Sequence, residues 1–306
     1  MRKACLEQVY QLAKKDERVV FVGSDLGAGT LSHFQEEMPE RFFMEGIAEA
    51  HAVGMACGMA HEGKVVYVNT IQSFLTRRCY EQLVLDACLH NLNVRFIGNG
   101  AGLVYAPLGP THWATEDISI LRTIPNLTIL SPADAEEMNR LMPLTLDHQG
   151  PIFIRLAKGY DPIVTKEKSF ELGKAYSYRD GKDVLLIGCG VMLGIMKEAE
   201  EILAQAGIEA SILHLPTIKP LDNEAIISRA GTTRAVITVE ENTTLGGLGS
   251  AVAEILAEAC LPNPLRMKRI GLPDSFSGNY GSQLQHFAHN GLTAENIVTE
   301  ARKLLT

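Results

Sequence analysis

The stretch KVVYVNTIQSFLTRRCYEQLVLDACLHNLNVRFIGN (64–99) opens and closes on short, continuous apolar runs, KVVYVN (64–69) and NVRFIGN (93–99), with helical material between them. Apolar runs of that length read as strands covered on both faces, which is the pattern of parallel βα units. The rhythm extends outward to RVVFVG (18–23), LTILSP (127–132) and PIFIRL (151–156). A polar stretch, TKEKSFELGKAYSYRDGKD (165–183), interrupts it as a linker or connecting hairpin. It then resumes in DVLLIGCG (183–190), IEASILHL (208–215), AVITVEEN (235–242) and LRMKRIGL (265–272). Helical patterns lie over 192–206, 222–230 and 250–259, and in TAENIVTEARKLL (293–305), where Thr293 and Glu295 suit a helix start. The expected fold class is α/β, with two doubly wound domains. The first spans residues 1–164, a linker follows over 165–182, and a smaller domain spans 183–306.

The chain has 306 residues, 46% of them hydrophobic, enough for one or two domains with real cores. A net charge of −8 argues against a broad binding surface for nucleic acid or anionic membrane, since both need clustered Lys and Arg. The N-terminus lacks the apolar centre of a signal peptide, and no apolar run reaches the roughly 18 residues of a membrane span. Cys5, Cys57, Cys79, Cys88, Cys189 and Cys260 are far apart and form no CxxC pair, so no metal site is expected. Reduced, mostly buried thiols fit a cytoplasmic protein.

Glycine-rich turns occur at GSDLGAG (23–29), GNGAG (98–102), GCG (188–190) and GGLG (246–249). None forms a full GxGxxG after a strand and there is no GxxxxGK[ST], so tight turns are the simpler reading. Glu49 stands apart, because it lies in a run of small and apolar residues where a helix can pack closely. An acid in that first turn reads as a partner for the helix dipole. It reads equally as a carboxyl kept from water to hydrogen-bond a cofactor ring nitrogen.

The segment carrying it, RFFMEGIAEAHAVGMACGMA (41–60), resembles the block of transketolases and 1-deoxyxylulose-5-phosphate synthases that holds their cofactor-activating glutamate. In family order the chain also has GSDLG (23–27), SFLTRRCYEQ (73–82), GLVYAPLGPTHWATEDISILRTIPNLTILSPAD (102–134), IKPLD (218–222), VEEN (239–242) and GLPDSF (271–276). This resemblance covers nearly the whole chain and implies a pyrimidine-binding domain followed by the family's C-terminal domain. The implied cofactor is thiamine diphosphate. Glu49 would activate its aminopyrimidine, Phe74 and Tyr80 would stack on or wall that ring, and Asp25 and Leu26 would lie beside it. His112 of GPTH would reach the substrate oxygen near the reacting carbon. Read alone, Phe74 and Tyr80 are more often core residues, Asp25 is more often a turn residue and His112 is equally a packed histidine; His51 and His61 keep a structural reading.

The family's diphosphate domain, marked by a GDG motif and a downstream asparagine, has no match in this sequence. The resemblance therefore implies a split enzyme in which a separate alpha chain holds the diphosphate and Mg2+, in an expected α2β2 assembly. Four positions in the substrate channel depart from the family pattern. Gly100 stands in place of a histidine, Leu108 of an aspartate, Gly29 of a serine and Lys158 of an arginine. An arginine fork holds phosphate more specifically than a lysine, so the departures point to a donor or acceptor that is less hydroxylated or unphosphorylated. A ketose or 2-oxo acid donor and an aldehyde acceptor fit. Competing readings are a pyruvate-decarboxylating synthase, a 2-oxo acid dehydrogenase beta subunit and a non-catalytic scaffold paralogue. Asp222, Glu240 and Glu241 read as subunit contacts or helix caps.

Overall fold

A computed structural model of the chain describes residues 1–24, 28–157, 161–261, 264–276, 278 and 280–306. The first half contains strands β1 (Val19–Gly23), β2 (Phe42–Met44), β3 (Val65–Ile71), β4 (Val94–Asn99), β5 (Thr128–Leu130) and β6 (Ile152–Leu156). Its helices are α1 (Arg2–Lys15), α2 (Ser32–Glu37), α3 (Glu49–His61), α4 (Gln72–Arg78), α5 (Tyr80–Gln82), α6 (Asp117–Leu121) and α7 (Ala135–Leu141). The second half contains β7 (Tyr176–Arg179), β8 (Val184–Gly188), β9 (Ala210–His214), β10 (Thr217–Lys219), β11 (Ala235–Thr243) and β12 (Arg266–Leu272). Among them lie α8 (Met192–Gln205), α9 (Asn223–Ala230), α10 (Leu248–Glu258), α11 (Gln283–His289) and α12 (Ala294–Leu305).

The sheets run in the orders β10-β5-β6-β4-β3-β1-β2 and β12-β11-β8-β9-β7, parallel except at β10 and β7. Every residue of β4, β6, β8 and β9 is buried, as continuous apolar strands require when helices cover both faces. Caps set several helix starts. Asp134, Asp222 and Thr293 each accept the N–H three residues on, and Ser282 forms a full capping box with Gln285.

Three short strands, β2, β7 and β10, are absent from the sequence expectation. β7 lies inside the segment read as a linker and forms the edge of the second sheet, its residues alternating between half-buried and exposed. β10 belongs by position to the second domain, yet it pairs antiparallel with β5 and extends the first sheet. The backbone stitches the same seam, with Ser131 N–H donating to the Pro216 carbonyl (2.7 Å) and Gly190 N–H to the Ser131 carbonyl (3.0 Å).

Buried polar groups reinforce the seam. Glu137 of α7 takes the N–H of Ala133 at 2.6 Å and lies 3.0 Å from His214 at the end of β9. Beneath α4 and α6, Arg155 of β6 pairs with Asp117 at 2.7 Å, with exposures of only 4% and 1%. Asp117 also receives Gln72 Nε2, and Arg155 donates to the Glu241 carbonyl of β11 at 2.6 Å.

Removing one member of such a pair leaves a buried charge without its partner. Arg155→Met is expected to lower unfolding stability by about 3–5 kcal/mol, read by urea denaturation. A loss below about 1 kcal/mol would show that the Asp117 site relaxes or hydrates freely.

Candidate functional site

Glu49 is the first residue of α3, preceded by Ala48, which provides no side-chain cap. Its negative charge suits that helix start, and the residue is 4% exposed. The carboxylate is met from α4, whose Phe74 and Arg78 are four residues apart and so share one helix face. Arg78 Nη1 lies 2.9 Å from Glu49 Oε2, and its guanidinium carbon sits 3.9 Å from the centroid of the Phe74 ring. The other side of the group is His112, whose ring meets Phe74 edge-on at 5.0 Å. His112 Nδ1 is engaged by the Thr111 hydroxyl at 2.9 Å.

The fold thus brings together three residues singled out in the sequence, Glu49, Phe74 and His112. Tyr80 is placed differently. The helix breaks at Cys79, and the Tyr80 hydroxyl lies 3.4 Å from both the Ile120 carbonyl and Thr123 Oγ1, beside α6. Gly29 is exposed in a single turn of tight helix over 28–31, and Leu108 is 53% exposed. Asp25, Leu26 and Lys158 lie outside the described residues.

Gly100 has φ +86°, and a Cβ there would come within 2.1 Å of the Tyr105 ring. A larger residue at Gly100 is therefore excluded unless Tyr105 moves. The same Tyr105 ring faces His112 at 6.4 Å. Sequence reading missed this tyrosine. The available signal was a glycine in a position expected to carry a side chain, followed five residues later by an aromatic.

The loop bearing His112 is gripped from the second domain. Glu241 Oε1 accepts the Leu103 N–H and Gln283 Nε2, both at 2.7 Å, and its side chain fills the space beside Gly102. Glu240, its neighbour in VEEN, caps α10 by accepting the N–H groups of Leu248 (2.7 Å) and Gly249 (2.9 Å). The helix-cap expectation holds for Glu240, while Glu241 braces the loop. Trp113, next to His112, lines a cavity of about 210 Å³ with Arg77, Leu103, His286 and Asn290 among others. Neither Glu49, Phe74 nor His112 lines that cavity. Among the described residues, no three His, Cys, Asp or Glu side chains cluster as metal ligands, and no helix is long and apolar enough to cross a membrane.

Residues 1–160 match the family model "Transketolase, pyrimidine binding domain" and residues 173–297 match "Transketolase, C-terminal domain". The chain is 36% identical over 306 residues to the 6-deoxy-6-sulfo-D-fructose transketolase subunit SqwH of Clostridium sp. (strain MSTE9), covering 99% of this chain and 94% of that one. It is 38% identical over 303 residues to an apulose-4-phosphate transketolase subunit of Phocaeicola vulgatus, covering 98% and 96%. The 1-deoxy-D-xylulose-5-phosphate synthase 1 of Geobacter sulfurreducens is 38% identical over 299 residues, which are 96% of this chain but 46% of that protein. Among solved structures, a split gene transketolase described as an inactive beta4 tetramer superposes with a TM-score of 0.89 at 32% identity, covering 99% of this chain and 97% of that one.

Burial pushes the Glu241 carboxyl up from 4.5 to about 7, against the pull of Arg155 and the Leu103 N–H. A carboxyl with a raised folded-state pKa binds the extra proton when folded. Its contribution to stability therefore falls as pH rises from about 4.5 to about 7, and is level above that. Glu241→Gln keeps an acceptor for Leu103 and removes the titration. The stability of this variant relative to wild type should rise across that window in urea unfolding, and a pH-independent difference would refute the assignment.

Proposed function

The chain belongs to the transketolase family, and we propose that it is the catalytic beta-type subunit of a split enzyme that transfers a two-carbon ketol or acyl unit to an aldehyde. The observation that carries this reading is the convergence of a buried carboxylate, Glu49, an aromatic face, Phe74, and a half-buried histidine, His112. Thiamine diphosphate is the cofactor of this family, and when bound it supplies the electron sink for carbon–carbon bond cleavage.

The residues present fit its aminopyrimidine. Phe74 offers a ring face already covered by a planar group at 3.9 Å, and Glu49 lies in hydrogen-bonding reach of that group. In this reading Glu49 hydrogen-bonds the pyrimidine nitrogen and sets its tautomer, and Phe74 supports the ring. His112, with Nδ1 held by Thr111, presents its other nitrogen to a substrate oxygen, where it donates a hydrogen bond or moves a proton. The Glu241 brace on the loop fixes that histidine, since orientation is where such residues gain their effect.

A separate alpha subunit supplies the diphosphate and Mg2+ contacts, and the assembly is α2β2 with each site at an interface. The similarity to a beta tetramer described as inactive supports the need for that partner. Six unpaired thiols, five of them buried, support a cytoplasmic setting. Tyr105 filling the space beside Gly100, together with the exposed Leu108, supports a channel mouth with fewer polar contacts for a phosphorylated sugar. Two relatives are named for 6-deoxy-6-sulfo-D-fructose and apulose 4-phosphate, which supports a specialised sugar. Xylulose 5-phosphate and ribose 5-phosphate should accordingly be poor substrates, and efficient turnover of that pair by the assembled enzyme would overturn the substrate reading.

Glu49→Gln in the assembled complex is expected to lower kcat by about 10²-fold or more, with assembly intact by gel filtration. A scaffold subunit would tolerate the change, so near-normal turnover would favour that reading. The wild-type chain purified alone should show no turnover, and full activity of the lone chain would dismiss the split-enzyme reading.

A further inference from the structure

The guanidinium of Arg78 occupies a particular place. It lies flat against Phe74, 3.9 Å from the ring centroid, and donates to Glu49 Oε2 at 2.9 Å. A planar, delocalised group with N–H donors stacks on an aromatic face and pairs with a carboxylate at the same time, which an ammonium does less well. These are the two contacts that an aminopyrimidine ring needs from this chain if Glu49 and Phe74 hold the cofactor.

We propose that Arg78 is a resident occupant of the aminopyrimidine subsite, displaced when the cofactor binds. The inference rests on the cofactor reading of Glu49 and Phe74. The arrangement has a physical cause on each side. Glu49 is 4% exposed in side-chain terms, and a carboxylate so buried is costly without a partner. Arg78 provides one while the site waits. Its own side chain is 48% exposed and stands at the last residue of α4, so it can swing into solvent without unfolding a helix.

Displacement makes cofactor affinity depend on the fraction of molecules with the subsite open, because the apparent Kd is the intrinsic value divided by that fraction. Arg78 thus stabilises the cofactor-free chain and weakens cofactor binding through the same two contacts. The partner subunit has the opposite effect in this scheme, because the contacts it adds to the diphosphate favour the open arrangement.

The test uses the full chain as wild type, Arg78→Met, Arg78→Lys and Arg78→Met/Glu49→Gln. Each is titrated with thiamine diphosphate and Mg2+ by calorimetry and melted with and without them. Arg78→Met keeps the aliphatic stem and loses the charge and the donors. It should bind about tenfold more tightly than wild type, or about 1.4 kcal/mol, while its ligand-free form melts lower. Arg78→Lys should lie between them in affinity. The double variant, which no longer leaves a carboxylate unpaired, should recover most of the lost melting temperature. Binding by wild type that is unchanged or weaker in Arg78→Met overturns the occupancy proposal and leaves the cofactor reading standing. Where binding is seen only in the assembled complex the same ranking of variants is read there, and absence of binding by every variant of that complex overturns both.

Discussion

The ion pair between Arg155 and Asp117 is the constraint on which the rest of the structure depends. Both side chains are almost fully out of water, so the pair must be complete to be tolerated. Completion draws in Gln72 at the start of α4 and the carbonyl of Glu241 in β11. Glu241 then uses its side chain to hold the backbone at Leu103. The helix that carries Phe74, the loop that carries His112 and the second domain are therefore tied through one buried polar cluster. A site of this kind gains precision from its supporting contacts, and here those contacts cross the domain boundary.

Much of the fold was legible because parallel strands covered on both faces leave continuous apolar runs: β4, β6, β8 and β9 fall within runs visible in the sequence, and β3 and β11 start in such runs and extend one or two residues past them. Three short strands were not legible for a related reason. β2 and β10 have three residues each and β7 four, too few to establish a period, and β7 is polar on its outer face. Its pairing with β9, like that of β10 with β5, is decided by what lies alongside in space.

At the site, Glu49 announced itself as an acid among small apolar residues. Arg78 did not, although it stands four residues after Phe74, because an arginine at the end of a helix usually faces solvent. Tyr80 shows the converse. The resemblance implies that it walls the cofactor beside Phe74, and the structure sets the two on either side of the break at Cys79, with the tyrosine hydroxyl beside α6. Glu241 was beyond sequence reasoning, since its contact with Leu103 spans 138 positions.

The strand β10 has a consequence for how the chain reaches its fold. Until residues 217–219 are in place, β5 ends the first sheet as an open edge, with unpaired backbone groups beside a strand of buried apolar residues. An uncovered edge is a template for wrong pairing between chains. During synthesis the first half must therefore wait for a segment made some sixty residues after its own last strand before that edge is closed. The two halves match separate family models, but they are not separable pieces: cut between them, the first half would carry a sticky border that the intact chain never shows.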